Sequence, residues 1–457
     1  MLMEEEKDPG SVFNLNFIQE KTQGFGEYLT HIRTLDLNSL IAECGIPLPS
    51  LQALSKILCS KNKIIACWAM GLTQHKNSVN TIKEVVNLLL LKGSIGKPGA
   101  GTCPVRGHSN VQGDRTMGIY EKPSPPFLDR LEKVFHFNPP RKQGYDTVES
   151  IKAMHSGKAR VFFAMGGNFL SATPDTLFTA EALQKCDLTV QVSTKLNRSH
   201  LIHGKEALIL PCLGRTDKDL INGELQFVSV ENSMGVVHSS KGSLKPISSH
   251  MLSEPTIVCQ LAIATLKNSK VDWKKYMRHY DHIRDSIEAC IPGFDNYNQR
   301  VRQPAGFYLP NGARNNSYDT TNGKANFSMS KSEAIVLEEA ELLMMTIRSH
   351  DQFNTTIYGL NDRYRGIFNE RRVILMHPKD IERFQLKERD LVDLYNFHNN
   401  TERIARKFIV LPYNIPEKCC ATYFPEANVL VPLNSTADKS NTPTSKSVVI
   451  KLKNHIS

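Results

Sequence analysis

No two of the ten cysteines, Cys44, Cys59, Cys67, Cys103, Cys186, Cys212, Cys259, Cys290, Cys419 and Cys420, stand in the C-x-x-C spacing of a zinc or iron–sulfur site. That excludes a locally encoded cluster and leaves most of the thiols as buried, reduced core groups. The longest aliphatic run, residues 85–91, falls far short of the roughly 20 residues that span a bilayer. Met1 to Lys7 carry three consecutive glutamates and no apolar stretch, so no signal or transit peptide is visible and a cytoplasmic location is the expectation. No G-x-G-x-x-G follows a predicted strand, and no internal repeat or low-complexity tract is present. Lys and Arg exceed Asp and Glu by 56 to 46, a formal charge of +10, yet the basic residues are scattered and never interleaved with aromatics as single-strand binders require. The charge therefore argues against nucleic acid and permits a small anionic ligand.

What is present is apolar material for two or three packed domains: 40% of the 457 residues are hydrophobic and 22% charged. Leu51, Leu54, Ile57 and Leu58 recur with helical period, and KIIACWAMG then reads as a buried strand ending at Gly71. Ile82, Val86 and Leu89 share the face of a following helix, which Lys92 and Gly93 end. The same grammar returns with a capping box at Asp146, a helix to about Ser156, the strand RVFFAM, and a break at Gly166, Gly167 and Asn168. Thr173 and Pro174 read as N-cap and first residue of a helix through Leu183, followed by LTVQV ending at Ser193 and ALILP near Pro211. Strands alternating with helices predict a doubly wound α/β region over residues 1–269, with a ligand beyond the strand ends at Gly71, Met165 to Asn168, and Ser193 to Lys195. Residues 270–337, punctuated by Pro292, Gly293, Pro304, Gly306, Pro310 and Gly312, read as a crossover. The β-rich runs LLMMTI, RVILMH, DLVDLY, KFIVLP and NVLVPL, with one helix near Lys379 to Phe384, predict a small closed β-barrel over 338–457.

Glycines at 93, 96, 99, 101, 107 and 113 are interrupted by Lys97, Arg106, His108, Asn110, Gln112, Asp114 and Arg115. Such a loop lets backbone N–H groups approach an anion while the cations neutralise it; the alternative is a glycine-rich surface connection.

The order of motifs carries a further reading. WAMGLTQH, IGKPGAG, PVRGHSNVQGDR, MGGNF at 165–169, STKLNRSH at 193–200, LPCLGRTDKD at 210–219, TIRSHDQFNTTIYG at 346–359 and YFPEANVLVPL at 423–433 together resemble the formate-dehydrogenase alpha-subunit branch of the molybdopterin oxidoreductases. The likeness is strongest to its acid-resistance-associated bacterial members and runs from about residue 10 to 452. It implies a bis-molybdopterin guanine dinucleotide carrying molybdenum, bound between α/β domains and a C-terminal double-psi β-barrel. The matching positions are Met70, Gly71, Gln74 and His75; Lys97, Arg106, Asn110 and Gln112; Gly166 and Asn168; Thr194 and Lys195; Asp217; Arg348, His350, Gln352 and Asn354; and Asn428. No side chain here is implied as a metal ligand: Cys103 is read as packing, because the family takes such a ligand from its N-terminal half.

By the same resemblance Arg106 is either the residue that orients a small carboxylate beside the metal or a clamp on pterin or phosphate. His108 and His350 are either proton shuttles or hydrogen-bonding structural histidines, and Asp217 and Asp219 either accept from a guanine or are solvated loop charges. Met1 stands only a few residues before DPGSVFNLNFIQEKTQGF, which looks like a late segment of a preceding domain, so the expectation is a chain that begins inside a fold. Any iron–sulfur cluster would come from that N-terminal half. The functional expectation is a molybdopterin-dependent oxidoreductase component acting on formate or a similar small anion, with an electron-transfer partner. The alternative is a non-catalytic fragment that binds part of the dinucleotide or docks with a separate N-terminal chain.

Overall fold

The computed structural model describes residues 1–108 and 110–455; Ser109, inside the PVRGHSNVQGDR motif, and the last two residues of the 338–457 unit lie outside the described residues. The α/β region holds two separate parallel sheets. In the first, Ile65–Trp68 pairs with Gly101–Pro104, Ile65 opposite Gly101. The crossover between them runs through the short helix Met70–Thr73 and the helix Ser78–Leu91, which ends where expected because Gly93 takes φ 54°. In the second, Leu188–Ser193 lies between Val161–Met165 and Glu206–Pro211. Helices Thr147–His155 and Thr176–Gln184 cover one face of it through Ile151, Met154, Ala182 and Leu183. Asp146 caps the first helix, its Oδ1 accepting from Glu149 N at 2.9 Å.

The second helix starts later than Thr173 and Pro174 suggest. Its N-cap is Asp175 at φ 50°, while Thr173 Oγ1 donates back to Phe169 O and closes the short helix Phe169–Ala172. Asp175 takes this conformation because its carboxylate is held by Arg403 of the barrel, a partner that lies 228 residues away and that no local pattern announces.

Residues 270–337 are more ordered than a crossover. Helices Trp273–Arg278, Asp281–Cys290 and Tyr297–Arg300 form there, and Phe307–Tyr308 joins Val236–Ser240 and Val228–Glu231 in an antiparallel sheet. Phe294, Tyr297, Val301 and Phe307 close a core with Val237. The prolines and glycines mark joints between short elements; Glu288, for example, accepts from Asn296 N and Tyr297 N across one of them.

The C-terminal region is a closed six-stranded barrel in the order Glu341–Ile347, Cys419–Tyr423, Val373–Met376, Arg403–Pro412, Leu391–Asn396, Val448–Asn454. The first and second strands of that order are parallel, as are the third and fourth, and the remaining pairs are antiparallel: the double-psi arrangement. Leu342, Met344, Ile374, Val392, Phe408, Val410, Cys420 and Ile450 fill its interior. NVLVPL is not one of the strands. Asn428–Leu430 makes a single 3₁₀ turn whose apolar residues plug the barrel side, so that run signals burial and not extension.

Much apolar surface is left open. Helix Leu48–Ser60 forms, but Leu54 and Ile57 remain 51% and 56% exposed, and Glu206–Pro211 is an edge strand with Leu208 and Ile209 uncovered. The accessible surface is 26271 Å², against about 17,000 Å² for a compact monomer of this mass. Cys186, Cys212, Cys259, Cys290 and Cys420 are buried as free thiols, Cys59, Cys103 and Cys419 are half-buried, and Cys44 and Cys67 are exposed. Among the described residues no helix is long and apolar enough to cross a membrane.

Candidate functional site

The turn after strand Ile65–Trp68 is pinned from two sides. His75 Nε2 donates to Gly71 O at 2.8 Å, and Gln74 N to Met70 O at 3.2 Å, which fixes the turn itself. Met70 packs against Gly107, where a Cβ would stand 3.2 Å from the Met70 methyl carbon, so the glycine-rich loop lies directly on the turn. On the other side Lys446 N donates to Gln74 O at 3.2 Å and ties the barrel's last loop to the same place. Met70, Gly71, Gln74 and His75 thus sit where the α/β region, the loop and the barrel meet.

The glycine-rich loop walls an open cavity of about 1110 Å³, with Lys97, Arg106 and Gln112 on one side and Asn311, Arg314 and Tyr318 facing them from residues 309–326. Asn110, at φ 67°, accepts from Glu231 N through Oδ1 at 2.9 Å. Gln112 donates to Glu231 O and leaves its Oε1 buried with no partner among the described residues. Gly96, at φ 72°, is pressed against the Asn316 side chain, with no room for a methyl group. Gly96→Ala is therefore expected to lower stability by about 1–3 kcal/mol, combining left-handed strain with displacement of Asn316, as a urea titration would read. An unchanged midpoint would show the loop free to move.

A second group gathers at the other sheet. Gly166 and Gly167, both at positive φ, turn the chain after Met165. Asn168 bridges to the barrel, donating to Thr355 O at 3.1 Å while its Oδ1 accepts from Ser199 Oγ at 2.9 Å. Asn168, Arg198, Thr355, Tyr358 and Arg372 line a cavity of about 510 Å³. Thr194 and Lys195 lie exposed at the neighbouring strand end, beside the turn that Asp217 closes by accepting from Gly214 N at 2.7 Å. Asp219 accepts from the Tyr280 hydroxyl.

Several expected ligands spend their side chains on the frame. Gln352 is buried, donating to Asn354 O and Phe424 O and accepting from Arg371 Nη2 at 2.9 Å. Asn354 Oδ1 accepts from Thr356 N, Thr356 Oγ1 and Ile357 N. Asn428 donates to Ser171 O at 2.7 Å and leaves a buried Oδ1 with no partner among the described residues. His350 Nδ1 donates at 3.0 Å to Asp362, a carboxylate 1% exposed that also accepts from Tyr423 and Arg365. Burial pushes the Asp362 pKa up, but those donors together hold it below the ordinary carboxylate value.

The electrostatics of the junction are one-sided. Burial pushes Lys446 down to about 8, with the Arg348 charge adding to the effect. Burial lowers Arg348 as well. His108 is lowered by burial and then by Arg348, and His75 by burial and Lys446, against the raising effect of its bond to Gly71. Among the described residues none of these four groups, nor Arg106 or Lys97, makes an ion pair with a carboxylate. Desolvated basic groups without ion-pair partners at the barrel junction, and the unpartnered buried Gln112 Oε1 in the cavity of Lys97 and Arg106, suit a large polyanionic ligand that also donates hydrogen bonds. No cluster of three or more His, Cys, Asp or Glu suited to a metal ion occurs among the described residues. Lys446, Arg371, Asp362 and Arg314 were not singled out by sequence; each stands in an ordinary polar stretch and gains meaning only from partners distant in the chain.

Residues 37–200 match the family model described as molybdopterin oxidoreductase, and residues 342–449 that of the molydopterin dinucleotide binding domain. The chain thus carries molybdopterin oxidoreductase and molybdopterin dinucleotide-binding regions. It is 50% identical over 459 residues to an uncharacterized oxidoreductase of Mycobacterium bovis, covering 99% of this chain and 59% of that protein. It is 41% identical over 451 residues to protein YdeP of Escherichia coli K12, again spanning 97% of this chain and 59% of the relative. A putative formate dehydrogenase of Staphylococcus aureus is 28% identical over 182 residues, 38% of this chain and 18% of its own. The chain therefore spans about three fifths of the length of its first curated relatives. Acetylene hydratase from Pelobacter acetylenicus shares the fold with a TM-score of 0.66 at 13% identity, over 99% of this chain and 69% of that one.

Proposed function

We propose that this chain is the cofactor-holding component of a formate-dehydrogenase-like oxidoreductase that uses bis-molybdopterin guanine dinucleotide and oxidises formate or a comparably small anion. The observation that supports it most is the junction itself: the Met70–His75 turn, the glycine-rich loop with Arg106 and His108, and the barrel residue Arg348 converge, and among the described residues their cationic side chains make no ion pair with a carboxylate. Likeness to a putative formate dehydrogenase supports the substrate class.

In this reading His75, Lys97 and Arg348 face the cofactor's phosphates, and the frame built by Asn168, Gln352, Asn354 and Asn428 keeps the strand ends and barrel at fixed spacing. Gly71, Gly166, Thr194, Lys195, Asp217 and His350 contribute at the rims, and Asn110 and Gln112 at the loop. When bound, the cofactor supplies molybdenum as the acceptor of two electrons. Arg106 holds the substrate carboxylate through a two-point pair. His108, its pKa lowered, is neutral near pH 7 and accepts the proton that oxidation releases. The electrons pass to a partner that this chain does not itself provide.

The test is elemental mass spectrometry with acid release of GMP on the chain purified from a molybdenum-replete host, where near-stoichiometric molybdenum and about two GMP per chain are expected. Arg106→Lys should then keep the metal and lose about a hundredfold in formate oxidation with an artificial acceptor. Absence of both metal and GMP sinks the reading. The open apolar surface favours a second one, a fragment that binds part of the dinucleotide and is completed by a separate polypeptide.

A further inference from the structure

We infer that Lys446 is an anion-binding residue, and that with Arg348 and His75 it forms a subsite, between the Met70–His75 turn and the barrel, for a phosphoryl group of the dinucleotide. The inference rests on the cofactor reading above and adds to it a residue and a place.

Lys446 is fixed at both ends. Its backbone N–H is bonded to Gln74 O on the turn, and its ammonium donates to Thr346 O and Oγ1 on the first barrel strand, two residues before Arg348. An ammonium has three donors, and Thr346 takes two. Both acceptors are neutral, so the charge itself is not compensated. Lysines drawn out of water are ordinarily paired, because an unpaired one costs several kcal/mol of desolvation. Here the charges that act on these groups are of the same sign: Arg348 acts on Lys446, and Lys446 on His75. Arg348 in turn acts on His108, and among the described residues no carboxylate acts on any of the four.

Arg348 is also under-used. Its guanidinium donates to Phe353 O at 3.1 Å and lies 5.6 Å from the centre of the Phe424 ring, which leaves most of its five N–H donors open. His75 spends Nε2 on Gly71 O, so Nδ1 is the nitrogen left for a ligand. A guanidinium, an ammonium and an imidazole that gains its proton when an anion arrives, on three separate segments and with no ion pair to a carboxylate among the described residues, suit a tetrahedral dianion; a carboxylate or chloride would leave part of the charge uncancelled. Lys446 and His75 are both held toward their neutral forms in the free protein. A phosphate arriving among them reverses that, so binding near pH 8 draws protons from solution.

The experiment is isothermal titration calorimetry of the full chain with inorganic pyrophosphate, at pH 8 in two buffers of different ionisation heat, with sodium sulfate as a second probe. The wild type should bind pyrophosphate more tightly than sulfate and take up protons. Lys446→Met should lose at least about tenfold in pyrophosphate affinity and most of the proton uptake, while Lys446→Arg should keep the affinity. Removing an uncompensated cation should leave the thermal midpoint at pH 7 unchanged or raised, and Arg348→Met supplies an independent arm if Lys446→Met fails to fold. Pyrophosphate affinity and proton uptake that are the same in Lys446→Met as in wild type overturn the inference, as does a wild type that binds no pyrophosphate. The two readings fail separately. Lys446-dependent pyrophosphate binding by a chain that never carries GMP would leave the subsite standing without the cofactor; full GMP loading in Lys446→Met with unchanged pyrophosphate binding would do the reverse.

Discussion

Arg403→Met is expected to lower the free energy of unfolding by about 3–5 kcal/mol. Arg403 reaches from the barrel to the start of helix Thr176–Gln184, where Nε and Nη2 donate to Asp175 Oδ2 at 2.9 and 2.7 Å. The two side chains are 9% and 10% exposed, so the partner left behind would be a carboxylate with almost no access to water. The helix N-terminus beside it compensates in part, but a macrodipole contributes about 1–2 kcal/mol at best. The same junction carries Asp175 N bonded to Asn428 O and Val431 O, and Leu433 of the barrel buried among the α/β helices. Urea unfolding followed by fluorescence should show the loss, and Arg403→Met combined with Asp175→Asn should recover part of it because the stranded charge is gone. A loss below about 1 kcal/mol in the single variant would mean that water reaches Asp175 and the pair carries little.

Arg371→Met should cost a similar 3–5 kcal/mol, with a different local signature. This guanidinium donates to Glu426 Oε1 at 2.6 Å, Ser349 Oγ at 3.0 Å, and Gln352 Oε1 and Phe424 O at 2.9 Å each. It also lies between the rings of Tyr358 and Tyr423, 4.2 and 4.8 Å from their centres. It is the peg on which the segment from Arg348 to Asn354 hangs. Hydrogen exchange should therefore quicken in Ser349–Tyr358 far more than in the barrel strands. Arg371→Lys keeps the charge but not the planar fork, and should fall between wild type and Arg371→Met. Uniform exchange across the barrel would show that Arg371 supports the whole barrel and not this segment.

The α/β part was legible because its signals are local. Asp146 caps its own helix three residues on, and Gly93 turns the chain where Leu91 ends the helix. The barrel was legible as a class, but one strand was not: Cys419–Tyr423 reads CCATY, with no apolar alternation, while the more hydrophobic NVLVPL has the composition of a strand and forms a buried plug. In the site, sequence pointed to the glycine-rich loop through residue type alone. It could not reveal which donors are free. Gln352 and Asn354 have the chemistry of ligands, yet the Gln352 amide is spent on Arg371 and backbone carbonyls and the Asn354 Oδ1 on its own turn. Lys446 sits in the plain segment TPTSKS, 98 residues from Arg348, and only the closed barrel brings them together.

The uncovered helix face at Leu54 and Ile57 and the free edge of Glu206–Pro211 make the folding free energy of this chain depend on its surroundings. Any molecule that covers those surfaces binds the folded form alone, and mass action then adds about 1.4 kcal/mol of stability for each tenfold rise of its concentration above the dissociation constant. For a molecule that covers them, binding and folding would then be one linked equilibrium, and a thermal midpoint would have to be quoted with that molecule's concentration.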